Sequence, residues 1–111
     1  MVSVLIYKIL LPSEWAEFQD RGRFDGSPFD GESGFIHLSS RDQVAETARR
    51  VFDGESSLVI VAVDSDAVDD TLRWEPADRG TFPHVYGSIP LAAVTAVHEI
   101  GGAAEVADLP L

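Results

Sequence analysis

The stretch Gly34-Phe35-Ile36-His37-Leu38-Ser39-Ser40 decides how we interpret the fold of this chain. In an extended strand successive side chains point to opposite faces, so Ile36 and Leu38 are predicted to enter a core. His37 and Ser39 then lie side by side on the other face. The stretch therefore predicts a strand that is anchored on one face and presents an imidazole and a hydroxyl on the other.

The composition predicts one globular domain. The chain has 111 residues, of which 45% are hydrophobic and 24% charged, and we assign 1–111 to a single domain with a tail over about 101–111. It contains no cysteine, which excludes disulfides, thiolate zinc sites and thiol nucleophiles. No leader and no long apolar run is present, so we expect a cytoplasmic protein that does not enter membranes.

The charge of the chain bears on its partners. Nineteen acidic and eight basic residues give a formal net charge of −11. Such a field repels phosphate backbones and anionic lipid surfaces, so nucleic acid and membrane are not expected partners. The oligomeric state is left open.

The first part of the chain predicts a strand followed by a helix. Positions 2–10 are expected to form a strand that is buried on both faces, with Lys8 as its only charged residue. Ser13 is expected to cap a short helix that runs to about Arg21 and ends at Gly22. Its apolar face would comprise Leu11, Trp15 and Phe18.

Positions 22–34 read as a flexible acidic loop, because glycine, proline, aspartate and serine are dense there. Its acidic residues lack the spacing of an EF-hand, so calcium is not favoured. The loop precedes the strand of His37 directly and is a candidate lid or wall of a site.

A second helix is predicted behind the central stretch. Ser40 and Gln43 have the spacing of a capping box, and the helix is expected to reach about Phe52. Its apolar face would comprise Val44, Ala48, Val51 and Phe52.

The second half of the chain predicts mainly strands. Positions 58–63 suit a central strand, and 94–100 a final strand. Between them, 64–70 suits an acidic turn or short capped helix rather than a metal site, and 90–93 a helical turn. Positions 72–75 are expected to be a short extended piece, with a loop over 76–80. This order of elements predicts an α+β fold.

Positions 81–87 (TFPHVYG) are predicted to form an edge strand or an ordered loop, because Pro83 lacks a backbone donor. If the segment is extended, Phe82, His84 and Tyr86 share one face.

His37 and His84 are the candidate catalytic residues, because histidine titrates near neutral pH and serves as acid, base or ligand. His98 is interpreted as structural. Ser39 lacks the surroundings of a hydrolase nucleophile, and a zinc site of His37, His84 and a carboxylate is an alternative that no local histidine pair supports. The chain also contains no P-loop and no G-x-G-x-x-G motif.

Nearly the whole chain resembles one bacterial family, domain of unknown function 952, in a series of short segments. They are Ile6-Tyr7-Lys8-Ile9, Trp15, Gly34-Phe35-Ile36-His37-Leu38-Ser39, Gln43, Thr47-Ala48, Phe52-Asp53-Gly54, Leu72-Arg73-Trp74-Glu75 and Phe82-Pro83-His84-Val85-Tyr86-Gly87. The family has no established activity. The resemblance implies a fold similar to ADP-ribosyltransferases, with a split mixed or antiparallel sheet and two short helices.

That resemblance also implies a ligand class, NAD, ADP-ribose or a related nucleotide, and it implies roles for residues. His37 would pack against nicotinamide and Ser39 would contact its ribose, and the His-Leu-Ser triplet looks like one in tRNA 2′-phosphotransferases. Tyr7 and Lys8 stand where those enzymes have a first-strand histidine or arginine, and His84 or Glu75 would have to replace their late glutamate.

Three functions follow from these expectations. The first is an enzyme or binder of NAD or ADP-ribose, with a cleft walled by Tyr7, His37, Ser39, His84 and Tyr86, and with Arg73 on phosphate. The second is a binding module on the same fold that has lost its catalytic acid. The third is a protein-interaction module that uses exposed aromatic residues, although burial in the core is favoured for all of them. These aromatic residues are Phe29, Trp74 and Phe82.

Overall fold

A computed structural model describes residues 4–111, so Val2 and Ser3 of the first predicted strand lie outside the described residues. The strands and α-helices, in chain order, are β1 (Leu5–Leu10), α1 (Pro12–Arg21), β2 (Arg23–Phe24), α2 (Pro28–Ser33), β3 (Ile36–His37), α3 (Val44–Val51), β4 (Leu58–Asp64), β5 (Leu72–Ala77), β6 (Gly80–Val85), β7 (Ile89–Pro90) and β8 (Val94–Ile100). Three 3₁₀ helices span Ser65–Val68, Leu91–Ala93 and Ala103–Asp108. The α+β class is confirmed, with more helical segments than the two short helices expected.

The strand β4 is central, as its unbroken apolar run predicts. It lies between β1 and β8, and both pairings are antiparallel. Val59, Val61 and Val63 on one face pack into one core cluster, while Ile60 and Ala62 on the other face pack into a second. Because β4 contributes side chains to both clusters, its sheet lies between the two halves of the core. Burying each large apolar side chain contributes about 1.5–3 kcal/mol to stability.

A second three-stranded sheet has the order β3-β6-β5 and is also antiparallel. It meets the first sheet at Tyr7 and Ser39, which exchange two backbone hydrogen bonds of 2.8 Å. The chain therefore pairs with β6 at Ile36 and His37, leaves it, and pairs with β1 two residues later. The two sheets separate at this point.

Because β6 is the middle strand of its sheet, the prediction of an edge strand or ordered loop at 81–87 is wrong. Leu38 N donates to the carbonyl of Pro83 at 3.1 Å, just beyond the two residues of β3. In an antiparallel pair the N–H and C=O of one residue face the same neighbour. The donor that Pro83 lacks would therefore point at Leu38, where β3 ends, so proline interrupts little of the ladder.

The helix α1 begins two residues earlier than predicted. Pro12 is its first residue and Leu11 its N-cap, so the assignment of Ser13 as the cap is wrong. Glu14 Oε1 accepts from Leu11 N at 2.8 Å, so the carboxylate of the third helical residue satisfies the backbone donor of the N-cap residue. Phe18 is buried and Trp15 packs on its edge, as the apolar face predicts.

The predicted flexible loop at 22–34 is largely ordered secondary structure. The helix α2 starts with a capping box, in which Ser27 Oγ accepts from Asp30 N and Asp30 Oδ2 accepts from Ser27 N. Gly34 ends the helix with a φ of 85°, a left-handed conformation that glycine adopts without strain. Six residues with an internal glycine produce too short a pattern for the sequence to predict a helix there.

The helix α3 starts at Val44 rather than at the predicted Ser40 cap, and a turn covers 41–43. Half of the predicted capping box forms, since Gln43 Oε1 accepts from Ser40 N at 2.9 Å. Val44 and Ala48 are buried, but Val51 is 57% exposed, so its assignment to the core face is wrong.

Several shorter predictions in the second half are confirmed. Residues after β4 form a 3₁₀ helix that Asp64 caps by accepting from Asp66 N, and 91–93 form another helical turn. The predicted loop at 76–80 is shorter than expected, because Pro76 continues β5 and Gly80 begins β6.

The sequence predicts a tail over about 101–111, yet this segment packs against α3. Ala103 and Val106 in its 3₁₀ helix are buried and belong to the second core cluster. Small alternating residues conceal this contact from sequence analysis, because they do not produce a clear amphipathic period.

Candidate functional site

The central stretch has the two faces that its alternation predicts. Ile36 and Leu38 are buried in the first core cluster. His37 lies directly opposite His84 in the β3–β6 ladder. Directly opposed residues of an antiparallel pair share a face, and the two imidazole rings are 5.5 Å apart between centroids with an interplanar angle of 68°. The two candidate histidines therefore form one site.

A cleft of about 540 Å³ opens at this site, where the two sheets separate. Its lining comes from β1, α1, α2, β3, α3, β5 and β6, and it is mostly apolar with a few polar groups, as is typical of a small-molecule site. Four of the five residues predicted to wall a cleft do line it, and these are Tyr7, His37, Ser39 and His84. Tyr86 is not among the lining residues; it stands beside the site, 47% exposed.

His37 is bound to a carboxylate that the sequence did not predict as part of the site. Asp30 Oδ1 is 2.7 Å from His37 Nδ1 and also accepts from His37 N at 3.1 Å. Lys8 Nζ donates to Asp30 Oδ2 at 3.0 Å and to the carbonyl of His37 at 2.9 Å. Lys8 of β1 thus holds α2 against β3. These contacts explain why a lysine occurs in a buried strand.

The pKa values of both Lys8 and Asp30 are lower than their usual values. Burial acts to raise the pKa of Asp30, but the Lys8 ammonium and hydrogen bonds from Ser27 and His37 outweigh it and hold this pKa below its usual value. Burial lowers the pKa of Lys8, and the attraction of Asp30 offsets only part of that effect. Asp30 is therefore ionised at neutral pH.

His84 has a carboxylate partner of its own. Glu75 Oε1 is 2.8 Å from His84 Nδ1 and accepts from the hydroxyl of Tyr86 at 2.6 Å. The hydrogen bond from Tyr86, followed by that from His84, lowers the pKa of Glu75, and the same bond to Glu75 raises the pKa of Tyr86. The His84 side chain is only 10% exposed, whereas that of Glu75 is 37% exposed.

Aromatic rings cover both histidines. Phe29 stacks on His37 at 4.7 Å between centroids, and Phe35 stacks on His84 at 4.1 Å, each with an interplanar angle of 26°. Phe29 and Trp74 are 61% and 45% exposed, so the expectation that they are buried in the core is wrong for both. Phe82 is half-buried and lines the cleft.

The surroundings of the Ser39 hydroxyl do not suit a nucleophile. Ser39 is buried, and its Oγ donates to Thr47 Oγ1 at 3.3 Å rather than contacting His37. Among residues 4–111 no three histidine, cysteine, aspartate or glutamate side chains are grouped so that they could hold a metal ion.

Arg73 and Arg50 differ in their relation to the cleft. Arg73 lies opposite His84 in the β5–β6 ladder, is exposed, and donates to the carbonyl of Leu72 at 2.8 Å without lining the cleft. Arg50, on the last turn of α3, does line it and forms no ion pair with any residue of the described part of the chain. Sequence analysis did not mark Arg50 as a site residue.

Sequence analysis missed Asp30, Phe29, Phe35 and Arg50. The signal for Asp30 was present in Ser27-Pro28-Phe29-Asp30, which has the spacing of a capping box with proline at the first helical position. Recognising α2 would have placed Phe29 and Asp30 next to the His37 strand.

The chain belongs to the family described as protein of unknown function (DUF952), whose model matches residues 9–97. No curated protein matches the chain significantly.

Two experimental structures of one bacterial protein are similar to this chain. The crystal structure of protein CC0527 from Caulobacter crescentus is 42% identical, with a TM-score of 0.82, over 86% of this chain and 84% of that one. Its solution NMR structure is 38% identical, with a TM-score of 0.81, over 96% of this chain and 97% of that one. Within residues 4–111 no helix has the length and apolar character needed to cross a bilayer.

Proposed function

We propose that the cleft binds NAD, ADP-ribose or a related nucleotide, and that His37 and His84 act on it. The observation that carries this proposal is the pairing of the two histidines across β3 and β6 on the wall of one cleft. The cleft volume of about 540 Å³ falls in the range of about 300–1,000 Å³ common for small-molecule sites.

The chemistry of the lining suits a ring joined to a polar sugar. Phe29 and Phe82 offer aromatic rings for a planar heterocycle, and Ser39 and Thr47 add hydroxyl-bearing side chains to the lining. We propose that His37 orients the nicotinamide side of the ligand, that Ser39 binds a ribose hydroxyl, and that Tyr7 packs beneath it.

The phosphate contact is best assigned to an arginine at the cleft. Guanidinium groups match phosphate oxygens with two parallel donors. We propose Arg50 for this role in preference to Arg73, because Arg50 lines the cleft and has no ion pair within residues 4–111. Arg73 remains close to the His84 side of the site, one strand away.

We also propose that the fold is similar to ADP-ribosyltransferases. Two antiparallel sheets that part beside a cleft support this assignment, as does the position of the His-Leu-Ser triplet at the parting. The reaction would be ADP-ribosyl or glycosyl transfer, in which positive charge develops at the ribose and is stabilised by nearby aromatic rings and carboxylates. His84 would shuttle a proton or hold the leaving group. The cytoplasm, where such nucleotides are metabolised, is the compartment that we propose.

Binding without turnover is the second candidate. One observation favours it: the carboxylates beside the two histidines are already engaged, Asp30 by Lys8 and Glu75 by Tyr86. Neither is then available as the acid or nucleophile that a transfer reaction needs.

Calorimetric titration with NAD and with ADP-ribose tests this proposal. Wild-type protein should bind at least one of them, His37→Ala should weaken binding by roughly tenfold or more, equivalent to about 1.4 kcal/mol, and His98→Ala on β8 is the matched control. Absence of binding by folded wild-type protein, or equal binding by His37→Ala, contradicts the proposal. Release of nicotinamide from NAD, followed by chromatography, separates an enzyme from a binding module.

A further inference from the structure

Each cleft histidine has its Nδ1 against a carboxylate from a different element. Asp30 on α2 is hydrogen-bonded to His37, and Glu75 on β5 is hydrogen-bonded to His84. We propose that Asp30 and Glu75 are positioning residues: when each imidazole is neutral, its carboxylate partner keeps the proton on Nδ1 and leaves Nε2 as the proton acceptor. The two hydrogen bonds are observed in the structure, whereas their use in catalysis rests on the proposed function.

The hydrogen-bond partners of the two carboxylates determine where the ring protons lie. An ionised carboxylate only accepts hydrogen bonds, so the imidazole nitrogen that faces it must donate. Asp30 already accepts from Lys8 Nζ, Ser27 N and His37 N, all of which favour its ionised form. Glu75 likewise accepts from the Tyr86 hydroxyl. The Nδ1 atom of each histidine is therefore the donor, and the tautomer follows.

The second nitrogen of His84 must then be accessible. Among residues 4–111 no buried side-chain nitrogen or oxygen lacks a hydrogen-bond partner, and Nε2 of His84 makes no hydrogen bond. Nε2 therefore reaches solvent, although His84 as a whole is only 8% exposed. His84 also lines the cleft.

Ring packing resists the flip that would exchange the two nitrogens. Phe29 covers one face of His37, and Phe35 covers one face of His84 while also contacting His37 at 4.6 Å between centroids. A flip of either ring would break the Nδ1 bond and remove one of the donors to a buried or half-buried carboxylate, which is costly. Both imidazoles are thus fixed in orientation before any ligand arrives, as a proton-transferring site requires.

Nitrogen NMR of the ligand-free protein tests the proposal directly. Long-range ¹H–¹⁵N correlation spectra, recorded at a pH where the imidazoles are neutral, distinguish a protonated ring nitrogen from an unprotonated one. His37 and His84 should both show protonated Nδ1 and unprotonated Nε2. The third histidine, His98, makes no hydrogen bond with its ring in residues 4–111 and serves as the internal reference. Protonated Nε2 as the major form in His37 or His84 overturns the proposal.

Variants then test Glu75 as the cause. Glu75→Ala should shift His84 toward a mixture of tautomers and leave His37 unchanged, because Asp30 still holds His37. Tyr86→Phe keeps the carboxylate and should leave the His84 tautomer as in wild type. If Glu75 had only a structural role, Glu75→Ala would lower stability without changing the tautomer of His84. An unchanged His84 tautomer in folded Glu75→Ala therefore contradicts the assignment. These spectra require no ligand, so they succeed or fail independently of any NAD or ADP-ribose binding.

Discussion

At the scale of single residues, Lys8 and Asp30 connect stability to the site. Their side chains are 8% and 2% exposed, and the pair holds His37 through both its backbone and its ring. A lysine alone in an apolar strand could be noted from the sequence, but its partner lies 22 positions away in a segment without a clear period. Pairings of this kind depend on tertiary packing and are not encoded in local pattern.

Breaking this pair should be strongly destabilising. Lys8→Met leaves Asp30 as a buried charge without its cation, so we expect a loss of about 3–5 kcal/mol in the free energy of unfolding, measured by urea denaturation. The double variant Lys8→Met/Asp30→Asn removes both charges and should lose less than the sum of the two single changes. Additive losses would show that the two residues do not stabilise each other.

At the scale of elements, long strands were predictable and short segments were not. The continuous run of β4 and the alternation around His37 depend on local period, and both are confirmed. The helix α2 has six residues and one internal glycine, so capping rather than period defines it. A proline is tolerated in the middle strand β6 because β3 ends opposite it. The sequence around Pro83 alone could not indicate this.

Two glycines at α2 provide a matched test of that helix. Gly31 lies inside it and Gly34 ends it at a φ of 85°, and an added Cβ would meet nothing within 4 Å at either position. Gly31→Ala should therefore stabilise the protein by about 0.5–1 kcal/mol, because alanine has the better helix propensity. Gly34→Ala should destabilise it by about 1–2 kcal/mol, because a side chain is strained in the left-handed conformation.

Thermal and urea unfolding of both variants measure this difference. Since both sites are open, packing cannot produce opposite signs, and the backbone conformation is the remaining cause. Equal effects of the two substitutions would contradict the assignment of Gly34 as a left-handed helix terminus.

At the scale of the whole molecule, the last residues complete the second core cluster. The 3₁₀ helix Ala103–Asp108 packs on α3, which also supplies Thr47 and Arg50 to the cleft. The cleft itself draws on segments from β1 to β6 and was predictable only in part. Residue chemistry together with the family resemblance indicated Tyr7, His37, Ser39 and His84, whereas the contributions of α2 and α3 required the packed structure.

Val106 measures how much this terminal segment contributes. It is 1% exposed, so Val106→Ala should lower the free energy of unfolding by about 1.5–3 kcal/mol through lost burial and an unfilled cavity. Ala104→Ser, at an exposed position of the same 3₁₀ helix, should change it by less than about 0.5 kcal/mol. A neutral Val106→Ala would contradict the packing of this segment against α3.

The most direct test of the central claim is to map a ligand onto the chain by NMR. ADP-ribose added to ¹⁵N-labelled protein should shift the backbone amides of 35–39, 82 and 84–86, which include those of both histidines, and leave those of β8 unchanged. Saturable shifts confined to the cleft would confirm it as the nucleotide site. Shifts centred on β8 or α1, or none at all with both ADP-ribose and NAD, would contradict the account.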